Sequence, residues 1–292
     1  MPKKILLQTT IPAEQDNWSI ARFHLLSEYL NGLEGTEGSR LFAVAARDRD
    51  GAQDNVLPRI DETDFDELWL FAVDEGDGLT PEDCAAIAKF RQRGGGLLVA
   101  RDHMDLGSSV CTLGGVGLAH HFHSKNPEPD PSRHKIDDPF TTTILWPNYH
   151  SGANGDYQEI GAEGALHPVL RDPSNPQQAL RFLPAHPHEG AVSAPPGDAT
   201  ARVIATGRSK VTGAVFNIAV VFEPDRENGP AIAQSTFHHF ADYNWDLSTG
   251  APSFVTEPPG NGMVETPEAL VSAKTYARNV ALWLAGLDPA VA

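Results

Sequence analysis

Apolar residues fall along this chain in short unbroken blocks that end in polar tips, and between the blocks they recur at helical spacing. Ile5 to Leu7 open a buried strand that runs out in Gln8-Thr9-Thr10. From Trp18 to Leu33, the residues Ile20, Phe23, Leu26, Leu30 and Leu33 recur every three or four positions, which predicts an amphipathic helix. Arg40 to Arg47, with Leu-Phe-Ala-Val-Ala-Ala inside, predicts a second strand, and Leu68 to Val73 a third that ends in Asp74-Glu75-Gly76-Asp77. Thr80-Pro81-Glu82-Asp83 carries the marks of a helix start: a hydroxyl cap, proline at the first helical position and acids in the first turn. That helix is expected to reach about Arg93, where Gly94 to Gly96 end it. Leu97 to Ala100 then form a fourth strand, which stops at Arg101-Asp102-His103-Met104-Asp105.

Continuous apolar strands alternating with helices predict an α/β fold with an open, mostly parallel sheet flanked by helices. In such sheets ligands bind outside the carboxyl ends of the strands. The tips at Gln8–Thr10, Asp74–Asp77 and Arg101–Asp105 are all expected on that edge. From about 120 to 196 the chain turns rich in Pro, Asn, Asp and His with weak periodicity. This stretch reads as a long excursion over the carboxyl edge with short strands, not a second domain, so residues 1–292 are expected to form one unit. Arg202 to Thr206 and Ala214 to Phe222 predict a hairpin, Ala231 to Phe237 a further strand, and Pro267 to Ala285 a closing helix.

Composition narrows the partners. Lys and Arg number 22 against 39 Asp and Glu, a formal charge of −17, which repels phosphate backbones and excludes nucleic acid as the expected partner. No run is long enough for a membrane span or a signal peptide, so the expected location is the cytoplasm. A homo-oligomer stays open. Cys84 and Cys111 form no CxxC pair and support neither a zinc ribbon nor a disulfide framework; Cys84 reads as a small core residue.

Several motifs in order resemble the ThuA-like family of the class I glutamine amidotransferase-like, flavodoxin-like superfamily. They are Asp66-Glu67-Leu68-Trp69-Leu70, the run Phe90 to Val99, His167-Pro168-Val169-Leu170, the run Ala231 to Phe240, and Arg278 to Gly286. The resemblance implies the same open sheet and a mixed range of activities. Amidotransferases of the superfamily carry a cysteine nucleophile on the turn after the strand equivalent to 97–101, and their catalytic histidine on the late strand. Here the turn holds Arg101, Asp102 and His103, and Cys111 comes too late, so a thiol glutaminase is not expected. ThuA-like members place a histidine after the triple glycine; an ungapped count puts Arg101 there and a two-residue slip His103.

The 12 histidines are clustered at 120–123, 186–188 and 238–239, with His103 alone at the elbow. Imidazole ligates Zn and similar ions, and two His at i, i+2 on an extended segment point the same way, so His121 with His123, or His186 with His188, form candidate ligand pairs for a divalent metal such as Zn. The metal-free alternative is acid–base work by His103 with His238 or His239, oriented by Asp102 and Asp105. Arg101 is a candidate anion clamp or a salt-bridge partner of those aspartates, and Asp105 is equally readable as the cap of a short helix. Asn244 and Trp245 are candidate substrate contacts, and Asn154-Gly155-Asp156-Tyr157-Gln158 reads as a turn that could also present amides to a polar ligand. Gly107-Ser108-Ser109 lacks the nucleophile-elbow spacing, which removes a serine hydrolase. The leading expectation is an enzyme acting on a small polar molecule, a carbohydrate derivative or an amide, by His/Asp acid–base hydrolysis or isomerisation. The alternatives are a metal-dependent hydrolase using the His clusters and a non-catalytic binding or scaffold protein.

Overall fold

The computed structural model describes every residue except 37, 111, 291 and 292. Cys111, weighed above as a displaced nucleophile, therefore lies outside the described residues. Eight strands form the main sheet: β1 (Lys3–Pro12), β2 (Phe42–Arg49), β3 (Glu67–Phe71), β4 (Gly96–Ala100), β5 (Gly161–Ala162), β6 (Ala201–Arg208), β7 (Val215–Phe222) and β8 (Ala231–Gln234). Their order across the sheet is β2-β1-β3-β4-β8-β7-β6-β5. The first five in that order run parallel, and the β7, β6 and β5 pairings are antiparallel. Three helices of eight residues or more flank it: α1 (His24–Asn31), α2 (Pro81–Gln92) and α3 (Pro267–Leu284). This is the α/β architecture, with a mostly parallel open sheet, that the strand pattern predicts.

The apolar blocks are continuous because both faces of the sheet are covered. Successive side chains of a strand point to opposite faces. Ile5, Leu7, Trp69, Phe71 and Leu98 pack with α1 and α3, while Leu6, Leu68, Leu70, Leu97 and Val99 pack with α2. Cys84 of α2, expected as a simple core thiol, is buried and disulfide-bonded.

Two expected elements are cut short. The helix expected from Trp18 begins as a 3-10 turn at Ile20–Phe23 and becomes α1 only at His24. The cause is tertiary: the Asp242 carboxylate accepts the His24 and Leu25 N–H groups at 3.0 and 2.9 Å and so caps α1 from far along the chain. The late strand expected to reach Phe237 stops at Gln234, and Phe237–His239 form a 3-10 turn whose cap is Thr236, its hydroxyl accepting from the His238 N–H. The expected short helix from Asp105 is replaced by turns, with the Asp105 carboxylate accepting from the Ser124 N–H at 2.9 Å.

The excursion has local order. His120–His121 pair with Ala191–Val192, Tyr157–Glu159 with Phe182–Pro184, and Gly161–Ala162 join the main sheet as β5. The polar tips meet at the carboxyl edge. Asp74 accepts from the Thr10 hydroxyl at 2.7 Å and from the Ser109 hydroxyl at 2.8 Å, and its own carbonyl accepts from the Gly107 N–H at 2.6 Å. Gly107 has φ +80°, and a Cβ there would lie 2.7 Å from the Ala72 carbonyl, so only glycine lets the elbow press against the end of β3.

Candidate functional site

The elbow after β4 projects Asp102 and His103 over the carboxyl edge, through a backbone that holds Met104 at φ +46°, a conformation uncommon for a side chain-bearing residue. Because β4 and β8 are parallel neighbours, their ends emerge side by side. The turn after β8 therefore delivers His238 against Asp102, with Nε2 3.5 Å from Oδ2. The excursion brings His186 from the other side, its Nε2 3.1 Å from Asp102 Oδ1. The ligand atoms of Asp102, His186 and His238 all lie within 4.8 Å of one another, and all three residues are buried. The two imidazoles stack with centroids 3.6 Å apart and planes 11° apart, and Trp18 meets His238 edge-on at 4.6 Å.

The hydrogen-bond chain behind the two rings fixes their tautomers. Asn244 Nδ2 donates to the Ala185 carbonyl at 3.0 Å, so Asn244 Oδ1, 3.0 Å from His238 Nδ1, is an acceptor and Nδ1 carries the hydrogen. Asn244 Nδ2 also donates to Asn154 Oδ1 at 2.9 Å, which makes that oxygen an acceptor for His186 Nδ1 at 3.1 Å. Both neutral rings thus turn Nε2 lone pairs toward the Asp102 carboxylate. Burial pushes the His186 imidazole well below its ordinary range, and the neighbouring His238 adds to this.

These groups open on a cavity of about 600 Å³ whose wall also includes Trp18, His103, Phe237 and Phe254. Glu75, Asp77 and Glu257 add carboxylates to its lining. His103 Nε2 is 3.8 Å from Asp102 Oδ2, and burial pushes its imidazole down to about 4.

The remaining sequence candidates lie elsewhere. His239 points into the core, where its Nε2 is 3.2 Å from Glu189 Oε1 and its Nδ1 2.6 Å from the Gln234 amide nitrogen. Arg101 is fully buried, donates to the Met104 carbonyl at 2.6 Å and lies 4.2 Å over the Phe122 ring, away from the cavity wall. Burial pushes its guanidinium down to about 9. No described ion pair joins it to Asp102 or Asp105. Asn244 stands behind His238 rather than in the cavity, and Trp245 is buried, donating to the His239 carbonyl at 2.9 Å. His121 and His123 do not form a pair. His121 Nδ1 is 2.8 Å from the Asn126 carbonyl and its Nε2 2.6 Å from the Ser193 hydroxyl, whereas His123 Nδ1 is 3.1 Å from the Trp146 carbonyl. His186 and His188 share the cavity but belong to different clusters: His188 joins Asp138 and Glu257. Asp138 and Glu257 carried no signal in the sequence, because nothing local marks either as facing a histidine.

No protein-family model matches the chain. No curated protein matches it either. Among solved structures, it is similar at 10% identity and a TM-score of 0.44 to the glutaminase domain of Trypanosoma brucei CTPS with bound acivicin, over 96% of this chain and 94% of that one. It is similar at 10% identity and a TM-score of 0.40 to Agd3, a carbohydrate deacetylase, over 80% of this chain but only 29% of that one. An exo-β-1,4-mannosidase from Opitutaceae bacterium strain TAV5 gives 10% identity and a TM-score of 0.38, over 96% of this chain and 36% of that one.

Proposed function

We propose that the chain is a metal-dependent hydrolase of a small polar ester or amide, a carbohydrate derivative among the candidates, with Asp102, His186 and His238 as the ligands of a divalent ion such as Zn. The observation that carries this reading is the pair of Nε2 lone pairs facing one carboxylate at 3.1 and 3.5 Å. Lone pairs do not face a carboxylate without a cation between them. A proton could serve one ring, and that is the metal-free acid–base reading. It does not serve both, because the rings stack at 3.6 Å and two imidazoliums at such a distance repel by about 5 kcal/mol even at an effective dielectric of about 20. One divalent ion satisfies all three groups with two nitrogen ligands and one oxygen ligand, a set suited to Zn or another first-row metal. The asparagines orient the rings from behind, as outer-shell partners of histidine ligands do.

An ion held there would lower the pKa of a bound water toward about 7 and supply a hydroxide nucleophile. His103, on the same wall, is placed to take up a proton from the attacking water or hand one to the leaving group. Asp102 stays anionic as a ligand, and the aromatic wall receives the apolar face of the substrate. The ThuA-like resemblance belongs to this reading, as the group of proteins whose motif order the chain follows; a cytoplasmic setting and the absence of nucleic-acid partners belong to it as well.

The test is metal content and chelation. Purified protein should hold a divalent ion that His186→Ala loses, and hydrolysis of an ester and amide panel should stop on chelation and return with the ion. A chain that takes up neither Zn nor Mn nor Fe at micromolar concentration, and whose hydrolysis ignores chelators, overturns the proposal.

A further inference from the structure

The orientation device seen at His186 and His238 occurs a third time, in residues the proposed reaction does not use. Asn148 Nδ2 donates to the Ile144 carbonyl at 3.3 Å, which leaves Asn148 Oδ1 to accept from His188 Nδ1 at 3.2 Å. The opposite nitrogen, Nε2, then turns its lone pair to Glu257 Oε1 at 3.0 Å. Asp138 completes the group from the other ring nitrogen, with Oδ2 3.5 Å from His188 Nδ1. One ligand atom from each of Asp138, His188 and Glu257 lies within 4.8 Å of the other two. These side chains are only 1%, 9% and 12% exposed.

Both carboxylates are fixed by donors. Asp138 accepts the Phe140 and Thr141 N–H groups at 2.8 and 3.0 Å, and Glu257 accepts the Thr141 hydroxyl at 2.6 Å. No lysine or arginine is described in an ion pair with either. A buried and a half-buried carboxylate thus face one imidazole with no lysine or arginine described beside them. A divalent cation compensates both and takes an imidazole nitrogen of His188 as its third ligand.

We propose that Asp138, His188 and Glu257 form a second divalent-cation site, with His188 and Glu257 on the wall of the same cavity and Asp138 behind it, for an ion that accepts mixed oxygen and nitrogen ligands, such as Zn or Mn. The proposal rests on the hydrolase reading only in calling this ion the second. The His188 ring lies 5.4 Å from His186 and 5.2 Å from His103, centroid to centroid, so the two sites face one reaction space. Asp138 comes from the excursion, and Glu257 from the stretch after Trp245 that lines the cavity through Phe254, Val255 and Thr256. The ion therefore ties two segments far apart in sequence across the cavity, and its loading governs how firmly the later one is held.

The experiment is equilibrium dialysis of the full-length chelator-treated chain against Zn alone and against Mn alone, with bound ion measured by elemental analysis. Wild type should bind two ions. Glu257→Gln and His188→Gln should each bind one, and Asp102→Asn should keep the other. Asn148→Ala should weaken the second step by about 10-fold or more, as loss of an outer-shell partner does. Amide hydrogen exchange across residues 252–258 should slow on loading the second ion in wild type and in Asp102→Asn, but not in Glu257→Gln. One ion in wild type, with Glu257→Gln and His188→Gln binding it equally well, overturns the second site and leaves the first intact. A second ion retained by both Glu257→Gln and His188→Gln overturns it too. One ion bound by wild type, kept by Asp102→Asn and lost in both Glu257→Gln and His188→Gln, would sink the hydrolase ligand set while keeping this one.

Discussion

At the residue scale, the informative side chains are the asparagines. Asn244 touches no substrate space, yet it sets the acceptor that fixes His238, and through Asn154 the one that fixes His186. Asn244→Ala should leave the fold in place and lower the affinity of the first divalent ion by about 10- to 100-fold, measured by competition with a chromophoric chelator. An unchanged affinity would show that the rings are held by packing alone. Gly190 makes the complementary case. A Cβ there would lie 2.3 Å from Arg101 Nη1 and 2.6 Å from both the Asp102 and Ser235 carbonyls, two of them backbone atoms that cannot swing away. Gly190→Ala should therefore cost about 1–3 kcal/mol, read as a lower urea midpoint at unchanged slope. Sequence named Asn244 as a substrate contact and the turn from Asn154 to Gln158 as one that could present amides; the place of Asn154 and Asn244 behind the histidines was not legible, because a tautomer-setting asparagine and a substrate-binding one are the same residue type.

At the element scale, legibility followed locality. The strands were readable because each buries both faces and so carries an unbroken apolar block, and α2 was readable because its start is written in four consecutive residues. Thr80 accepts from the Asp83 N–H while the Asp83 carboxylate accepts from the Thr80 N–H, the reciprocal cap the sequence announces. Thr80→Ala should lower stability by about 1 kcal/mol without altering metal binding, since α2 covers a face of the sheet and not its carboxyl edge. A loss of ion affinity in that variant would mean that α2 positions the elbow. What was not readable is set from far away. The break before α1 comes from Asp242, more than 200 residues later, and no pattern near His24 records it. The pairing of His186 with His188 failed for a related reason. The i, i+2 rule holds for a regular strand, but the segment from 185 to 190 is pinned to residues 149–151 by backbone bonds and forms no regular ladder there. Its two rings consequently reach neighbouring but separate carboxylates.

At the scale of the whole molecule, the parallel β4–β8 pairing sets Asp102 beside His238, and this neighbourhood follows from topology alone; the excursion supplies the other ligands, and only tertiary structure shows which. The same burial that keeps imidazoles neutral inside this acidic chain predicts how it fails in acid. His167, 1% exposed and far from the cavity, accepts the Val169 N–H on Nδ1 at 3.2 Å and meets the Trp283 ring edge-on at 4.8 Å. Burial pushes its imidazole down to about 3 from an ordinary 6.5, and burial likewise holds His120 well below its usual range. The sign follows from proton uptake. Above pH 6.5 neither folded nor unfolded His167 is protonated, and the group contributes no pH dependence. Below 6.5 the unfolded chain takes up a proton that the folded chain refuses until about pH 3, so stability falls with pH across that window. Each such histidine adds a slope of about 1.4 kcal/mol per pH unit at most. Carboxylates whose folded values lie below the ordinary 3.8, Asp54 among them, act only lower down. Urea unfolding of chelator-treated protein from pH 7.5 to 4.5 isolates the histidine window. His167→Asn keeps a side-chain acceptor for the Val169 N–H but cannot take up the proton. It should be less stable than wild type at pH 7.5, by a gap that holds down to about pH 6.5 and then shrinks as pH falls to 4.5. A gap that stays constant with pH would show that His167 is protonated in the folded chain as readily as in the unfolded one.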